Sequence, residues 1–594
     1  MTVIDISNYR LKALALGASC LFACTHRPSS EACAPQAGAS SREIDSAAPL
    51  LNAGLPRLIL QITVDQLRGD LPDKFMKNMG PGGFRFLRDK GVWFANAHYG
   101  YTNTETVVGH TTLATGADPA EHGMVSNVWL ERGTGKLTYN IEDPRYHILS
   151  EGADVDKKNE IDSTQRLAST DGRSPSNILT STFSDELLQH TNGQAKVFAV
   201  SVKDRGAVTL AGHGGKAFWF SKAAGEFITS SYYYDEYPEW VGSWHERNEV
   251  AQFDARAWEL LNEQSSYLFG NDDEQSWEMD VAGFGREFPH PYGDAQGKLY
   301  GSFLTFSPAG DELTASFAKH MMTAEELGQD EIPDFLSISF SSTDYVGHLF
   351  GPSSLEAEDN LLRLDKTLAS LFSYVDEHVG LENTLIVLSA DHGGPDAPGY
   401  LEKLGIEAGY VSPKEWKKQP EFEALKKKFG VDQDLVLEYF PPYIYLDREL
   451  IEKKGLDLAE VEAAIANEAS RVPGVATAVS SSALRANRLA DTFLNRAALR
   501  GYNQQRSGDV LILFQPFHFV NDFDGTVVAA NHGGPWSYDT HVPIVFVRPG
   551  VAGKRIYREV DPKDIALTLS AMGNIKSPSG ATGSILQEVM AHAN

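Results

Sequence analysis

Cysteine is nearly absent from this 594-residue chain: Cys20, Cys24 and Cys33 are the only three, and all fall in the first 33 residues. The body therefore has no disulfide, no thiolate nucleophile and no Cys-ligated zinc. Any metal site there must be built from His and carboxylates. Positive charge is also scarce. Lys+Arg number 52 against 80 Asp+Glu, a net charge of −28, which repels nucleic acid phosphates and anionic lipid and argues against a nucleic-acid partner. The N-terminal apolar run, ALALGASCLFA (13–23), is far shorter than the roughly 20 residues that span a bilayer, so no transmembrane span is expected. A composition of 42% hydrophobic and 22% charged residues is that of an ordinary globular protein and excludes wholesale disorder.

The amino terminus has an export pattern. Arg10 and Lys12 precede the short apolar run, and small residues follow, as in a cleaved signal. Leu21-Phe22-Ala23-Cys24 resembles a bacterial lipobox, with Cys24 as the lipidated residue, although ordinary cleavage a few residues later fits as well. Residues 1–24 are thus read as a signal or lipoprotein segment. Residues 25–50, rich in Ser, Ala and Pro, read as a flexible leader. The expected location is periplasmic or lipid-anchored to the cell envelope.

From residue 55 apolar, β-branched runs alternate with helical stretches, as in parallel α/β folds. Strands are expected at 58–64, 196–202, 334–340, 383–389, 509–514 and 543–547. Helices are expected at 108–115, 176–189, 310–324, 355–378, 457–471 and 561–572. Three strands are followed closely by acids: Asp65 after the first, Asp344 with His348 after the third, and Asp391 with His392 after the fourth. A single Asp after a strand is usually a cap or turn residue. Three strands delivering Asp or Asp/His to one sheet edge are a candidate divalent-metal site, because ligands in open α/β sheets bind beyond the carboxyl ends of strands. Asp344 and His348, four apart, can share a helical face.

Between the first two strands, residues 109–116 (GHTTLATG) read as a short helix closed by Gly116. Thr106 stands at or just before its start, where free N–H groups and the positive dipole end favour an anion. Taken alone, Thr106 is an N-cap. Beside metal ligands it becomes a candidate nucleophile.

These residues resemble the alkaline phosphatase superfamily over nearly all of the chain after residue 55, most closely a branch of bacterial secreted phosphatases with a threonine nucleophile, related to nucleotide pyrophosphatase/phosphodiesterases. The matching segments are VDQLRGD (64–70), TVVGHTTLATGADPAEHGMVSNVW (106–129), SVKDR (201–205), STDYVGHLFGP (342–352), SADHGG (389–394) and NHGGPWSYDTHVPIVF (531–546). Val108 stands where that family usually has Pro, and Ser126 where it commonly has Gly; neither position supplies a functional side chain. The resemblance implies a three-layer α/β/α sandwich around a mostly parallel sheet. Residues 51–594 would form the catalytic domain, with cap-like insertions around 206–300 and 400–500. It also implies two divalent ions, zinc first, although magnesium, manganese or calcium would suit carboxylate-rich positions. One would be held by Asp344, His348 and His532, the other by Asp65, Asp391, His392 and the Thr106 oxygen. His532 comes from the match alone. His110, His122, His213 and His541 are read as structural.

The implied reaction is hydrolysis of small phosphate esters through a phosphothreonine intermediate. Lys203 and Arg205 resemble the basic pair that the monoesterase branch places over the non-bridging oxygens, and Asn127 would donate to the same oxygens. A monoester carries one more negative charge than a diester, so this pair favours a phosphomonoesterase. Without the resemblance, a surface ion pair with Asp204 would be the default for such a KDR run. Two alternatives stand beside that reading: a nucleotide phosphodiesterase on the same metals, and a metal-binding surface lipoprotein without catalysis. A sulfatase is disfavoured because the body has no Cys to convert to formylglycine. The aromatic run at 230–244 is expected to pack within an insertion rather than wall the substrate cleft, and the Lys/Glu-rich stretches of 400–500 read as solvated helical faces.

Overall fold

The computed structural model describes residues 55–412, 420–523 and 526–590; the segments assigned to export and leader, with Cys24, lie outside them. The core is a nine-stranded sheet in the order Lys554–Ile556, Val92–His98, His541–Val547, Thr384–Ser389, Leu58–Val64, Asp334–Phe340, Val197–Ser201, Lys216–Ser221, Glu226–Ile228. The five strands from Thr384–Ser389 to Lys216–Ser221 run parallel. All seven residues of Leu58–Val64 and of Asp334–Phe340 are buried. Successive side chains of a strand point to opposite faces, so helices must cover both. This is the α/β architecture expected from the apolar runs.

Register sets up the site. Val64 pairs with Phe340, Thr63 with Ser389, and Ser339 with Ser201. The residues just beyond these strands, Asp65, Asp344, Asp391 and Lys203, therefore emerge at one edge.

Two strand expectations change. His541–Val547 lies in the central sheet but is antiparallel to both neighbours. Val510–Phe514 leaves the central sheet altogether and joins a four-stranded antiparallel sheet with Val436–Phe440, Tyr443–Leu446 and Val475–Ser480. This second sheet and the helix Leu458–Ala469 share a hydrophobic core of their own, including Ile444, Val461, Ile465 and Ile512. Residues 204–228, partly read as an insertion, instead supply a helix (Asp204–Ala211) and two strands of the central sheet. The helix expected from 176 begins at Phe183, because the Thr182 side chain and Asp185 form a capping box there. The aromatic run packs as expected: Trp240 and Trp244 lie 5.3 and 5.2 Å from Phe317, on the helix Pro308–Ala324.

Asp311, in the first turn of that helix, accepts the Ser342 N–H (3.1 Å) and so fixes the start of the helix Ser342–Phe350. Burial pushes its carboxyl up to about 7, against the pull of the Ser342 donors. The folded protein then keeps a proton that the unfolded chain has released, so stability falls as pH rises from the ordinary Asp range to about 7 and stays reduced above it. Asp311→Asn is always neutral. It should raise the melting temperature at pH 9 by a few degrees, equivalent to ~1–3 kcal/mol, and change it little at pH 5. Equal effects at both pH values would contradict this assignment.

Candidate active site

Thr106 opens the helix Thr106–Thr115, with Glu105 as its N-cap and Gly116 closing it in a left-handed conformation (φ 66°). The helix can approach the sheet edge because residue 109 is glycine: a Cβ there would stand 2.0 Å from the Asp391 carbonyl oxygen. His110, one turn on, ties the same elements together. Its Nδ1 lies 2.9 Å from the Thr106 carbonyl and 3.1 Å from Asp391 Oδ2, and its Nε2 lies 2.8 Å from Ser339 Oγ.

The strand-end acids converge. Asp344 and His348 lie one turn apart on the helix Ser342–Phe350, with His348 Nε2 3.3 Å from Asp344 Oδ1. His532 Nε2 approaches the same oxygen at 3.4 Å. His392 Nε2 is 3.4 Å from Asp65 Oδ1 and 3.3 Å from Asp391 Oδ2, and the His392 and His532 rings stack at 3.7 Å. Two triads have donor atoms within 4.8 Å of one another: Asp344–His348–His532 and Asp65–Asp344–His392. Asp344 belongs to both, while Asp391 touches the second through His392.

The donors suit divalent cations. His348, His392 and His532 each turn Nδ1 to a backbone carbonyl, of Ala530, Gly393 and Thr104 respectively (2.8, 2.9 and 2.7 Å). A proton on Nδ1 leaves the Nε2 lone pairs of His392 and His532 facing the carboxylates, as metal-ligating histidines do. At His348 burial is outweighed by Asp344, which raises that imidazole above its ordinary value. Burial pushes His392 down to about 3 and lowers His532, which keeps both rings neutral. Burial and the neighbouring Asp391 raise the Asp65 carboxyl well above the usual range. Burial also opposes ionisation of Asp344, but His348 and Lys203 outweigh it and hold that group low. Asp65 Oδ1 and His392 Nε2 are buried without a hydrogen-bond partner, while Asp65 Oδ2 meets Lys203 (2.8 Å) and Asp391 Oδ2 meets the His110 and His392 rings (3.1 and 3.3 Å). Asp65, Asp344 and Asp391 are three buried acids around one ammonium, a cluster that divalent cations would neutralise in place of protons.

Lys203 supplies that ammonium. Its Nζ is 2.8 Å from Asp65 Oδ2, bonds Asp344 Oδ2, and lies 3.5 Å from Thr106 Oγ1. Arg205 Nη2 lies 3.4 Å from Thr106 Oγ1, while its Nη1 holds Asp162 at 2.7 Å. Lys203 and Arg205 are only 1% and 3% exposed, which removes the surface-pair reading. Asp204 turns away to Arg173 (2.8 Å) and Tyr139 (2.6 Å). Asn127 Oδ1 accepts the Val107 N–H (3.1 Å), so its NH2 is left for a ligand in the cleft that Asn127 itself lines.

Three participants gave no signal in the sequence reading. Gln66, held at φ 65°, donates its backbone N–H to Asp391 and its side-chain amide to Asp344, both at 3.1 Å. A left-handed non-glycine residue two positions past the strand Leu58–Val64 is stored strain that orients two acids. Glu105 accepts the Asn127 N–H (2.5 Å) and the Ser126 hydroxyl (3.2 Å), and burial pushes it up to about 7. Asp162 fixes Arg205. Of these, only Gln66 and Glu105 sit beside residues the sequence had singled out.

The sequence matches the profile of the type I phosphodiesterase/nucleotide pyrophosphatase family over residues 59–535. It is 33% identical over 544 residues to the alkaline phosphatase PafA of Elizabethkingia meningoseptica, covering 90% of this chain and 94% of that protein. It is 32% identical over 540 residues to the alkaline phosphatase PhoV of Synechococcus elongatus, covering 90% and 93%. The crystal structure of wild-type PafA superposes with a TM-score of 0.81 at 31% identity, covering 91% of this chain and all of that one.

Proposed function

The chain belongs to the type I phosphodiesterase/nucleotide pyrophosphatase family, and we propose that it is an exported, metal-dependent phosphomonoesterase of the alkaline phosphatase type. The observation that carries the monoester choice is the buried pair of cations at the nucleophile, Lys203 and Arg205, 3.5 and 3.4 Å from Thr106 Oγ1. Two such charges favour a phosphoryl group with three unshared oxygens over a diester.

Thr106 is the nucleophile in this reading. Its Oγ1 forms the bond to phosphorus as the bond to the leaving oxygen breaks, giving a phosphothreonine and the released alcohol. Water then cleaves that ester, yielding inorganic phosphate and the free hydroxyl. Arg205, Lys203 and the Asn127 amide bind and orient the transferred group, and most of the acceleration comes from such positioning and charge. Asp344, His348 and His532 would hold one divalent ion, and Asp65, Asp391 and His392 with Thr106 the other, zinc above all. When bound, such ions supply Lewis acidity to the nucleophile and to the leaving oxygen. The helix start of Thr106–Thr115 adds its free N–H groups to the anion's environment.

Export rests on the basic, apolar and small-residue pattern of the first 24 residues, with Cys24 of the lipobox-like Leu21–Cys24 as the candidate lipid anchor. Among the described residues no helix is long and apolar enough to cross a membrane.

The test is paired-substrate kinetics with metal analysis. Nitrophenyl phosphate should be cleaved with a kcat/KM at least about 100-fold above that of its bis-ester, by protein carrying two divalent ions per chain. Chelation should abolish both activities and lower the melting temperature, and zinc should restore both. A faster bis-ester reaction would replace this reading with the phosphodiesterase one.

A further inference from the structure

The lining of the cleft over Thr106 is of two chemical kinds. Polar groups come from Thr106, Asn127, Arg205, Asp344, His348 and His532. Apolar groups come from the second sheet and its turn, Phe440, Pro441, Ile512 and Phe514, and from Phe519 and Val528. Phe440, Pro441 and Val528 are half-buried and line the cleft, as apolar groups do in a ligand groove.

This wall is tied to the catalytic loops. The Ser126 hydroxyl lies 3.2 Å from the Pro441 carbonyl, and Trp536 Nε1 donates to the Phe514 carbonyl at 3.1 Å. Val528 precedes Ala529, whose N–H bonds the His348 carbonyl at 2.8 Å. The apolar side thus continues directly from the His348 end of the site; Thr106 is assigned to the Asp65, Asp391 and His392 end, so an in-line leaving oxygen departs toward His348. Among the described residues lining the cleft Arg205 is the only Lys or Arg, and Asp162 occupies one of its nitrogens. Glu105 and Asp539 line it as well. Among the described residues, a leaving group with a second anionic charge therefore meets acids and no second Lys or Arg on the cleft lining. The space is about 180 Å³; a cavity of ~150 Å³ takes one benzene, so a ring or a short alkyl chain fits before reaching solvent.

We propose that this wall makes the enzyme selective for phosphate monoesters of small apolar alcohols and phenols, with Phe440 and Val528 as specificity-determining residues. The proposal rests on the phosphomonoesterase reading above and names the substrate class of that same site. Burying a methylene strengthens binding about fourfold, so the wall should be readable as a chain-length effect.

Ethyl, butyl and benzyl phosphate and glycerol 1-phosphate share alkanol leaving groups, so differences in kcat/KM report contacts more than leaving-group basicity. Butyl phosphate should exceed ethyl phosphate by about 10-fold and benzyl phosphate by about 30-fold, with glycerol 1-phosphate no better than ethyl. Phe440→Ala and Val528→Asn should each shrink the butyl-to-ethyl ratio at least about threefold. Calorimetry on the metal-loaded full chain should give butylphosphonate a Kd about 10-fold below that of ethylphosphonate, a readout independent of turnover. A wild-type ratio within about twofold of unity, or one that neither variant moves, would overturn the inference. Cleavage of bis-esters but not of monoesters would instead overturn the function, and the phosphonate affinities would still decide whether the wall selects apolar groups.

Discussion

Thr106→Ala should lower kcat for nitrophenyl phosphate by on the order of 10⁴-fold or more while the remaining Asp and His donors still hold two ions per chain at saturating metal. Removing a nucleophile that forms the covalent intermediate leaves only what the rest of the site gives to attack by water, and losses of that size follow in other hydrolases with covalent intermediates. The substitution is clean for structural reasons. The Thr106 side chain has Lys203 and Arg205 as its hydrogen-bonding neighbours, and alanine is a good helix former at the first position of Thr106–Thr115. The Asp and His donors keep their backbone anchors. Thr106→Ser should retain most of the activity, because it preserves the hydroxyl. If Thr106→Ala stays within about tenfold of wild type with its metals bound, another group attacks the ester or the site is not catalytic. That result would favour the metal-binding lipoprotein.

Much of this site was legible in the sequence, and the reason is the parallel sheet. Asp65, Asp344 and Asp391 each follow an apolar run, and strands of a parallel sheet deliver their carboxyl ends to one edge whatever their separation in the chain. His348 followed from helical spacing. His532 did not: it lies in a loop between the second sheet and an antiparallel strand, where no periodicity fixes its direction, and only the family resemblance pointed to it. Gln66, Glu105 and Asp162 were missed because their roles depend on partners 278, 22 and 43 residues away, which local pattern cannot supply. The run at 509–514 was placed in the wrong sheet for a related reason. Four of its residues, Val510–Leu513, are buried, so it reads like any central strand. Its partners were chosen by the turn at Phe440–Tyr443 and by the separate core around Val461 and Ile465.

Replacing Lys203 and Arg205 together by alanine should cut kcat/KM for a phosphate monoester by on the order of 10⁴-fold and for the corresponding diester by about 10-fold. Each cation lost from the transition state costs about 10²–10³-fold when the charge it faces is fully developed, and the diester lacks one of the two charges on which the pair acts. A competing effect must be separated. Lys203 also neutralises Asp65 and Asp344, and removing one partner of a buried ion pair costs roughly 3–5 kcal/mol of stability. A loss of that kind would disable the site for both esters alike, and saturating zinc would reverse part of it. The ratio of the two losses therefore carries the information. The Arg205→Ala single variant sharpens it, because Arg205 pairs with Asp162 and not with the strand-end acids. It should already separate the two esters by about 10-fold or more without a change in metal content. Equal losses on monoester and diester in both variants would mean that these cations only hold the carboxylates together, and the monoester assignment would lose its physical basis.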